Sequence, residues 1–129
     1  ENLLLTNGSD QAIDVILRCL LESSEEVAMV QPGFAMFQQV AGTLGCQVVG
    51  PQSPEDFDFP HEELKESVNR RTRLIVVINP NNPSGTSVSI CGIGRVQYAH
   101  AFGHSFFGAK YARIACGFGN GAGCCDYPL

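Results

Sequence analysis

Between residues 10 and 21 the apolar positions fall three and four apart, with Ile13, Ile16, Leu17 and Leu20 on one face. Gly8-Ser9-Asp10 in front of them supplies capping chemistry, so the spacing predicts a helix. Val27-Ala28-Met29-Val30 is a continuous apolar run closed by Gln31-Pro32-Gly33, the pattern of a buried strand that ends in a turn. Helical spacing returns over 34–44, where Phe34, Phe37, Val40, Ala41 and Leu44 share a face. Gly45 then stands where helices commonly stop in the left-handed region. Residues 46–49 read as a second short strand. After a loop at 50–59, Pro60 suits a first helical turn, with Leu64 and Val68 following at i, i+4. Leu74-Ile75-Val76-Val77-Ile78 is the clearest strand, apolar on both faces as strands in covered parallel sheets are.

Helix and strand alternating at short spacing predict an α/β domain with a mostly parallel sheet covered by helices. Ligands of such sheets bind beyond the carboxyl ends of the strands. Three polar stretches lie at a strand-to-helix turn or directly after a strand: Gly8-Ser9-Asp10, Pro32-Gly33-Phe34 and residues 79–86. They are expected to converge on one crevice.

Composition narrows the classes. A chain of 129 residues, 44% hydrophobic, fits one ordinary domain, and a net charge of −5 gives no basic surface for a nucleic acid. No apolar run approaches the about 20 residues that span a bilayer, and Glu1-Asn2-Leu3-Leu4-Leu5 lacks the basic segment of a signal peptide. The expectation is a soluble, cytoplasmic protein. A first residue of Glu directly before an apolar run reads as a fragment. Six unevenly spaced cysteines argue against a disulfide scaffold; Cys19 and Cys46, in apolar contexts, read as buried free thiols.

The composition also changes near Thr86. Twelve of the thirteen acids lie before it, whereas four of six cysteines, eight of fourteen glycines and seven of eleven aromatics lie in 87–129. A segment so poor in acids and rich in glycine is a weak candidate for an independent core. The reading therefore divides the chain into 1–86, part of an α/β domain, and a divergent tail at 87–129.

Each polar stretch has a chemistry. Free backbone N–H groups at the first turn after Gly8, with the Ser9 hydroxyl, can hold a phosphate. Asp10 repels an anion and is expected to turn away toward the helix dipole; an ordinary N-cap is the plainer alternative. Phe34 can stack on a planar heteroaromatic ligand, or simply extend the apolar stripe with Phe37. Asn79-Pro80-Asn81-Asn82-Pro83-Ser84-Gly85-Thr86 is rigid and polar, and an Asn amide held in it can donate to a phenolate-like oxygen.

This last stretch resembles the N-P-N-N-P-[TS]-G-T signature of pyridoxal-phosphate-dependent aminotransferases of class I/II, particularly the histidinol-phosphate aminotransferase-like group. Thr6-Asn7-Gly8-Ser9-Asp10-Gln11-Ala12-Ile13 is similar to that group's cofactor-phosphate turn, and Gln31-Pro32-Gly33-Phe34-Ala35-Met36-Phe37 to its P-x-[FY]-x-M-[YF] segment. Phe57-Asp58-Phe59-Pro60 and Arg71-Thr72-Arg73-Leu74-Ile75 also follow the family's course. The resemblance covers 1–86 and implies the N-terminal part of a three-layer αβα large domain, aspartate aminotransferase-like. It implies pyridoxal 5'-phosphate held by the backbone around Gly8, Ser9 and Asp10, stacked on Phe34 and hydrogen-bonded at its phenolic oxygen by Asn82. It further implies an amino donor, a 2-oxo acid acceptor, a role in amino-acid biosynthesis and a homodimer in the complete enzyme.

The same resemblance shows what is missing. The family's D-E-A-Y acid, which pairs the pyridinium nitrogen, and its S-K lysine, which forms the Schiff base, have no counterpart in 87–129. Lys65 reads as a solvated surface group. Phe107-Gly108-Ala109-Lys110-Tyr111-Ala112-Arg113-Ile114 faintly resembles the family's F-G-L-A-G-L-R-I stretch, which would put Ser105 in the lysine's place and Arg113 at the phosphate. His100 with His104, Cys116 with Cys124-Cys125, and the GxGxxA-like Gly117–Ala122 run lack the partners that metal or dinucleotide sites need. The expectation is a partial aminotransferase, inactive as this chain. The alternative is a truncated or frame-shifted α/β remnant with at most weak phosphate or pyridoxal-phosphate binding.

Overall fold

The structure, a computed structural model, describes residues 4–56 and 58–89 and the backbone of 110–111. In chain order the elements are α1 (Gly8–Leu20), β1 (Glu26–Ala28), α2 (Ala35–Thr43), β2 (Gln47–Val49), α3 (His61–Glu66), β3 (Thr72–Ile75) and β4 (Lys110–Tyr111). The four strands form one parallel sheet in the order β2-β1-β3-β4. The chain thus leaves β1 to one side for β2 and crosses back over it to β3, which makes β1 and β3 neighbours.

Alternation along β1 and β3 builds two cores. Val27 and Met29 of the β1 segment, with Leu74 and Val76 of the β3 segment, face Ile13, Leu17 and Leu21 from α1 and its C-cap, and Phe37, Val40 and Ala41 of α2. Ala28, Val30 and Ile75 face the other way, onto Leu64 of α3. Two helices on one face and one on the other give the expected αβα layering, and explain why 27–30 and 74–78 are apolar without a break.

Local chemistry sets the boundaries. α1 starts earlier than its apolar stripe predicts: Gly8, at φ +72°, is its first residue, and Gly8-Ser9-Asp10 form the first turn rather than a cap. Asn7 occupies the N-cap with no side-chain cap bond. Instead, Gln11 Oε1 accepts from the Asn7 N–H at 2.6 Å. α2 ends as expected, with Gly45 at φ +73° after a Leu44 cap. α3 is only six residues long, with Pro60 at its N-cap and Val68 beyond its end. Cys46 is buried, as its setting predicts, and its thiol donates to Glu22 O at 3.0 Å. Cys19 is exposed, against expectation. It lies two residues before the buried Leu21 and two after the buried Leu17, so the helix turns it outward between two residues that face the core.

A buried ionic cluster, absent from the sequence reading, fixes the amino edge of the sheet. Glu26 is 2% exposed; one carboxylate oxygen pairs with Arg71, and Oε2 accepts from Asn69 Nδ2 at 2.6 Å. The Glu26 backbone N–H donates to Arg71 O at 2.8 Å. Register then shifts between Glu26 and Val27, whose partners on β3 are Thr72 and Leu74, leaving Arg73 as the extra residue. Its Nε donates to Leu20 O at 3.3 Å, tying the end of α1 to the start of β3.

Candidate functional site

Because β1 and β3 are adjacent and parallel, the loops that follow them emerge at the same carboxyl edge. The β1 loop runs through Gln31 and Pro32 to Phe34, the N-cap of α2. Phe34 is half-buried and packs against the same core as Phe37, so it both extends the apolar stripe and leaves part of its ring accessible.

The loop after β3 is closed by its own amides. Asn79 pairs with Val88 in both directions, Nδ2 donating to Val88 O at 2.8 Å and Oδ1 accepting from Val88 N–H at 3.1 Å. Inside that closure the Asn81 N–H donates to Thr86 O at 2.7 Å, and Asn81 O accepts from Gly85 N–H at 2.8 Å. Ser84 Oγ and Thr86 Oγ1 lie 2.8 Å apart in a further hydrogen bond. Asn81 is buried, and its Nδ2 reaches Pro32 O at 3.1 Å. Asn82, next to it, is exposed and has no hydrogen-bond partner among the described residues. The structure therefore brings the Phe34 turn and the Asn82 loop into contact through Asn81.

The third stretch arrives by topology. The end of α1 is tied to the amino edge, through Leu20 O to Arg73 and through Glu22 O to the Cys46 thiol. A helix of 13 residues is about 20 Å long, so its beginning points toward the carboxyl edge. Gly8, Ser9 and Asp10 are exposed there, and no hydrogen bond joins them to the other two stretches among the described residues. With no side-chain cap, the Ser9 and Asp10 N–H groups of this first turn are available to an anion, but the Gly8 N–H, expected to join them, already donates to Thr6 O at 3.0 Å.

Charge is divided between the two edges. Arg18, in the last turn of α1, Lys65, in the last turn of α3, and Arg70, Arg71 and Arg73, at the start of β3, all lie toward the amino edge. Among the described residues no cation stands at the carboxyl edge. The groups at this helix start that can donate to an anion are backbone N–H groups and the Ser9 hydroxyl, and Asp10, an acid in the first turn of α1, interacts favourably with the helix dipole. Lys65 is paired with Glu62 at 2.7 Å. Gln31 Nε2, a buried donor without a partner, sits one residue before Pro32.

These features fit a planar, phosphate-bearing group: free N–H donors on a helix start, a ring with an accessible part, and an unpartnered amide on a rigid loop. The sequence reading missed Asn81, Asn79 and Glu26. Composition marked the Asn-Pro loop as constrained but carried no signal for which asparagine is inside. For Glu26 a signal existed, since Glu25-Glu26 opens one strand and Arg70-Arg71 precedes the other, and parallel pairing aligns strand starts. Ser105, Arg113, Asp126, the His100/His104 pair, the tail cysteines and the Gly117–Ala122 run lie outside the described residues. No helix among those described is long and apolar enough to cross a membrane.

Comparison with known proteins bears on the same residues. The family model described as aminotransferase class I and II matches residues 1–112, past the change of composition at Thr86. Histidinol-phosphate aminotransferase 3 of Mesorhizobium japonicum is 31% identical over 96 residues, covering 74% of this chain and 26% of that protein. Histidinol-phosphate aminotransferase of Pelagibacter ubique is 35% identical over 86 residues, covering 67% and 24%. A mutant aspartate aminotransferase of Thermus thermophilus superposes with a TM-score of 0.71 at 22% identity, over 84% of this chain and 29% of that one, and shows the fold to be aspartate aminotransferase-like. The chain spans about a quarter of the length of the curated relatives it matches.

Proposed function

The chain belongs to the class I and II aminotransferases, and on that premise we propose that it is the cofactor-facing first part of a pyridoxal-phosphate-dependent transaminase large domain. The complete enzyme moves an amino group between an amino acid or amino alcohol phosphate, of the histidinol-phosphate kind, and a 2-oxo acid. It works in amino-acid biosynthesis in the cytoplasm, as a homodimer. The observation that carries the reading is the contact between the two loops at the carboxyl edge, Asn81 Nδ2 to Pro32 O at 3.1 Å, which supports a single site shared by Phe34 and Asn82.

In this reading the backbone N–H groups of Ser9 and Asp10, with the Ser9 hydroxyl, bind the cofactor phosphate, while the Gly8 N–H stays on Thr6 O. Phe34 orients the pyridine ring and excludes water from one face. Asn82 donates its amide hydrogen to the phenolic oxygen and so holds that oxygen in its anionic form. The bound cofactor supplies an electron sink for the carbanion at the substrate's α-carbon. Proton transfer at that carbon needs a lysine, and neither of the chain's two lysines follows a serine as the family's S-K lysine does: Lys65 is paired on α3, and Lys110 follows Ala109. This chain alone binds the cofactor and does not turn over.

Equilibrium dialysis with pyridoxal phosphate tests the reading. Saturable binding that weakens in Phe34→Ala and in Asn82→Ala is expected, with no lysine adduct after borohydride. Absence of saturable binding overturns the cofactor assignment. An adduct on Lys65 or Lys110 overturns the assignment of inactivity.

A further inference from the structure

Asn81 and Asn82 are adjacent, yet they stand in opposite environments. Asn81 is 7% exposed and Asn82 is at the surface. Both amide hydrogens of Asn81 are used: one on Pro32 O at 3.1 Å, one on Ser84 Oγ at 2.8 Å. Its orientation is decided by chemistry, because Pro32 O can only accept and only Nδ2 can donate to it. With its backbone N–H on Thr86 O and its carbonyl on Gly85 N–H, one residue makes four hydrogen bonds. Three of them close the loop on itself, and the fourth reaches a residue 49 positions away in the chain.

We propose that Asn81 is the positioning residue of the cofactor site: its amide clamps the loop that carries Asn82 to the turn that carries Phe34. The proposal rests on the reading above and deepens it. A ring stacked on Phe34 presents its edge at a fixed place, and an amide that meets that edge must be held to within about 0.5 Å, which loops rarely achieve without support. Asn81 provides that support from beneath, touching neither the ring nor its phosphate. The geometry is selective. Asp has the same shape but turns an oxygen toward the Pro32 carbonyl, Ala leaves that carbonyl unpaired, and Gln is one methylene too long.

The test compares the chain with Asn81→Ala, Asn81→Asp, Asn82→Ala, Ser84→Ala and the Asn81→Ala/Asn82→Ala double variant. Affinity is measured for pyridoxal phosphate and for its analogue lacking the phenolic oxygen. Asn81→Ala is expected to weaken pyridoxal phosphate about tenfold and to abolish the preference over the analogue, and Asn81→Asp to match it. The double variant should bind no more weakly than Asn82→Ala alone, because both act on one hydrogen bond. Ser84→Ala removes three bonds inside the loop, to Asn81 Nδ2, Thr86 Oγ1 and the Thr86 N–H, but spares the one to Pro32, so it should keep the preference even if the Asn81 variants do not fold. Losses that add, an Asn81→Asp variant that behaves as the parent, or a Ser84→Ala variant that loses the preference would each overturn the clamp. If the parent binds no pyridoxal phosphate, the cofactor reading fails, and hydrogen exchange without ligand judges the clamp alone. Asn81→Asp must then release the amides of 33–37 together with those of 82–86. Release confined to 82–86 overturns it.

Discussion

Glu26 and Arg71 predict an asymmetry that runs against the usual expectation that the buried member of a pair matters more. The Glu26 side chain is 2% exposed and that of Arg71 is 65% exposed. In Arg71→Ala the carboxylate keeps only its bond from Asn69 and stays desolvated, and an incompletely paired buried charge costs about 3 kcal/mol. In Glu26→Gln the charge itself is removed. Arg71 returns to water, the amide oxygen still accepts one bond, and the loss is about 1 kcal/mol. Urea unfolding followed by far-ultraviolet circular dichroism reads both, and at unchanged m the midpoint should fall roughly three times as far for Arg71→Ala. Equal shifts, or a larger one for Glu26→Gln, would refute the view that the penalty is stranded charge rather than lost contact.

Four further outcomes are expected. Burial raises the Cys46 thiol pKa, with the nearby Glu25 carboxylate acting in the same direction, so the folded state holds its proton to higher pH than the unfolded state does. That contribution is complete below the unfolded thiol's pKa and declines as pH rises through it toward the folded value; under reducing conditions Cys46→Ala should lose less melting temperature between pH 7.5 and 10 than the parent. Gly50 has φ +145°, and a Cβ there would strike Met29 O, so Gly50→Ala should cost about 3 kcal/mol in chemical denaturation. Leu17, fully buried between α1 and the sheet, should lose about 3 kcal/mol on truncation to Ala. Leu5→Ala, at an 87% exposed position, should stay within about 0.5 kcal/mol in the same assay, and a comparable loss there would contradict the core assignment.

The parts of the fold legible in the sequence were those where one signal acts alone. The Phe37-Val40-Ala41 face, the Gly45 stop and the apolar runs of the central strands each follow from a period or a backbone constraint, and the structure has them, although its strands take in only Val27-Ala28 and Leu74-Ile75 of the runs read at 27–30 and 74–78. The parts that were not legible depend on what lies across the sheet. Cys19 sits in an apolar neighbourhood of sequence but on the wrong side of the helix. The start of α1 moved because Gln11 reaches back to Asn7, a bond that no apolar stripe reveals. At the site, the Asn-Pro loop was recognisable as rigid. That Asn81 faces inward and Asn82 outward depends on the Pro32 carbonyl, which comes from the loop after β1, a strand placed beside β3 only by the crossover.

The Glu26–Arg71 cluster stands at one rim of the sheet and the motif loops at the other. Such a layout separates two kinds of evolutionary drift. Substitutions among the ions beneath can tune how firmly the strands are fastened while leaving the chemistry of the opposite rim alone, and the loops above can diverge without loosening the foundation. An engineer seeking a sturdier scaffold should begin at Glu26, and one seeking altered recognition should leave it untouched.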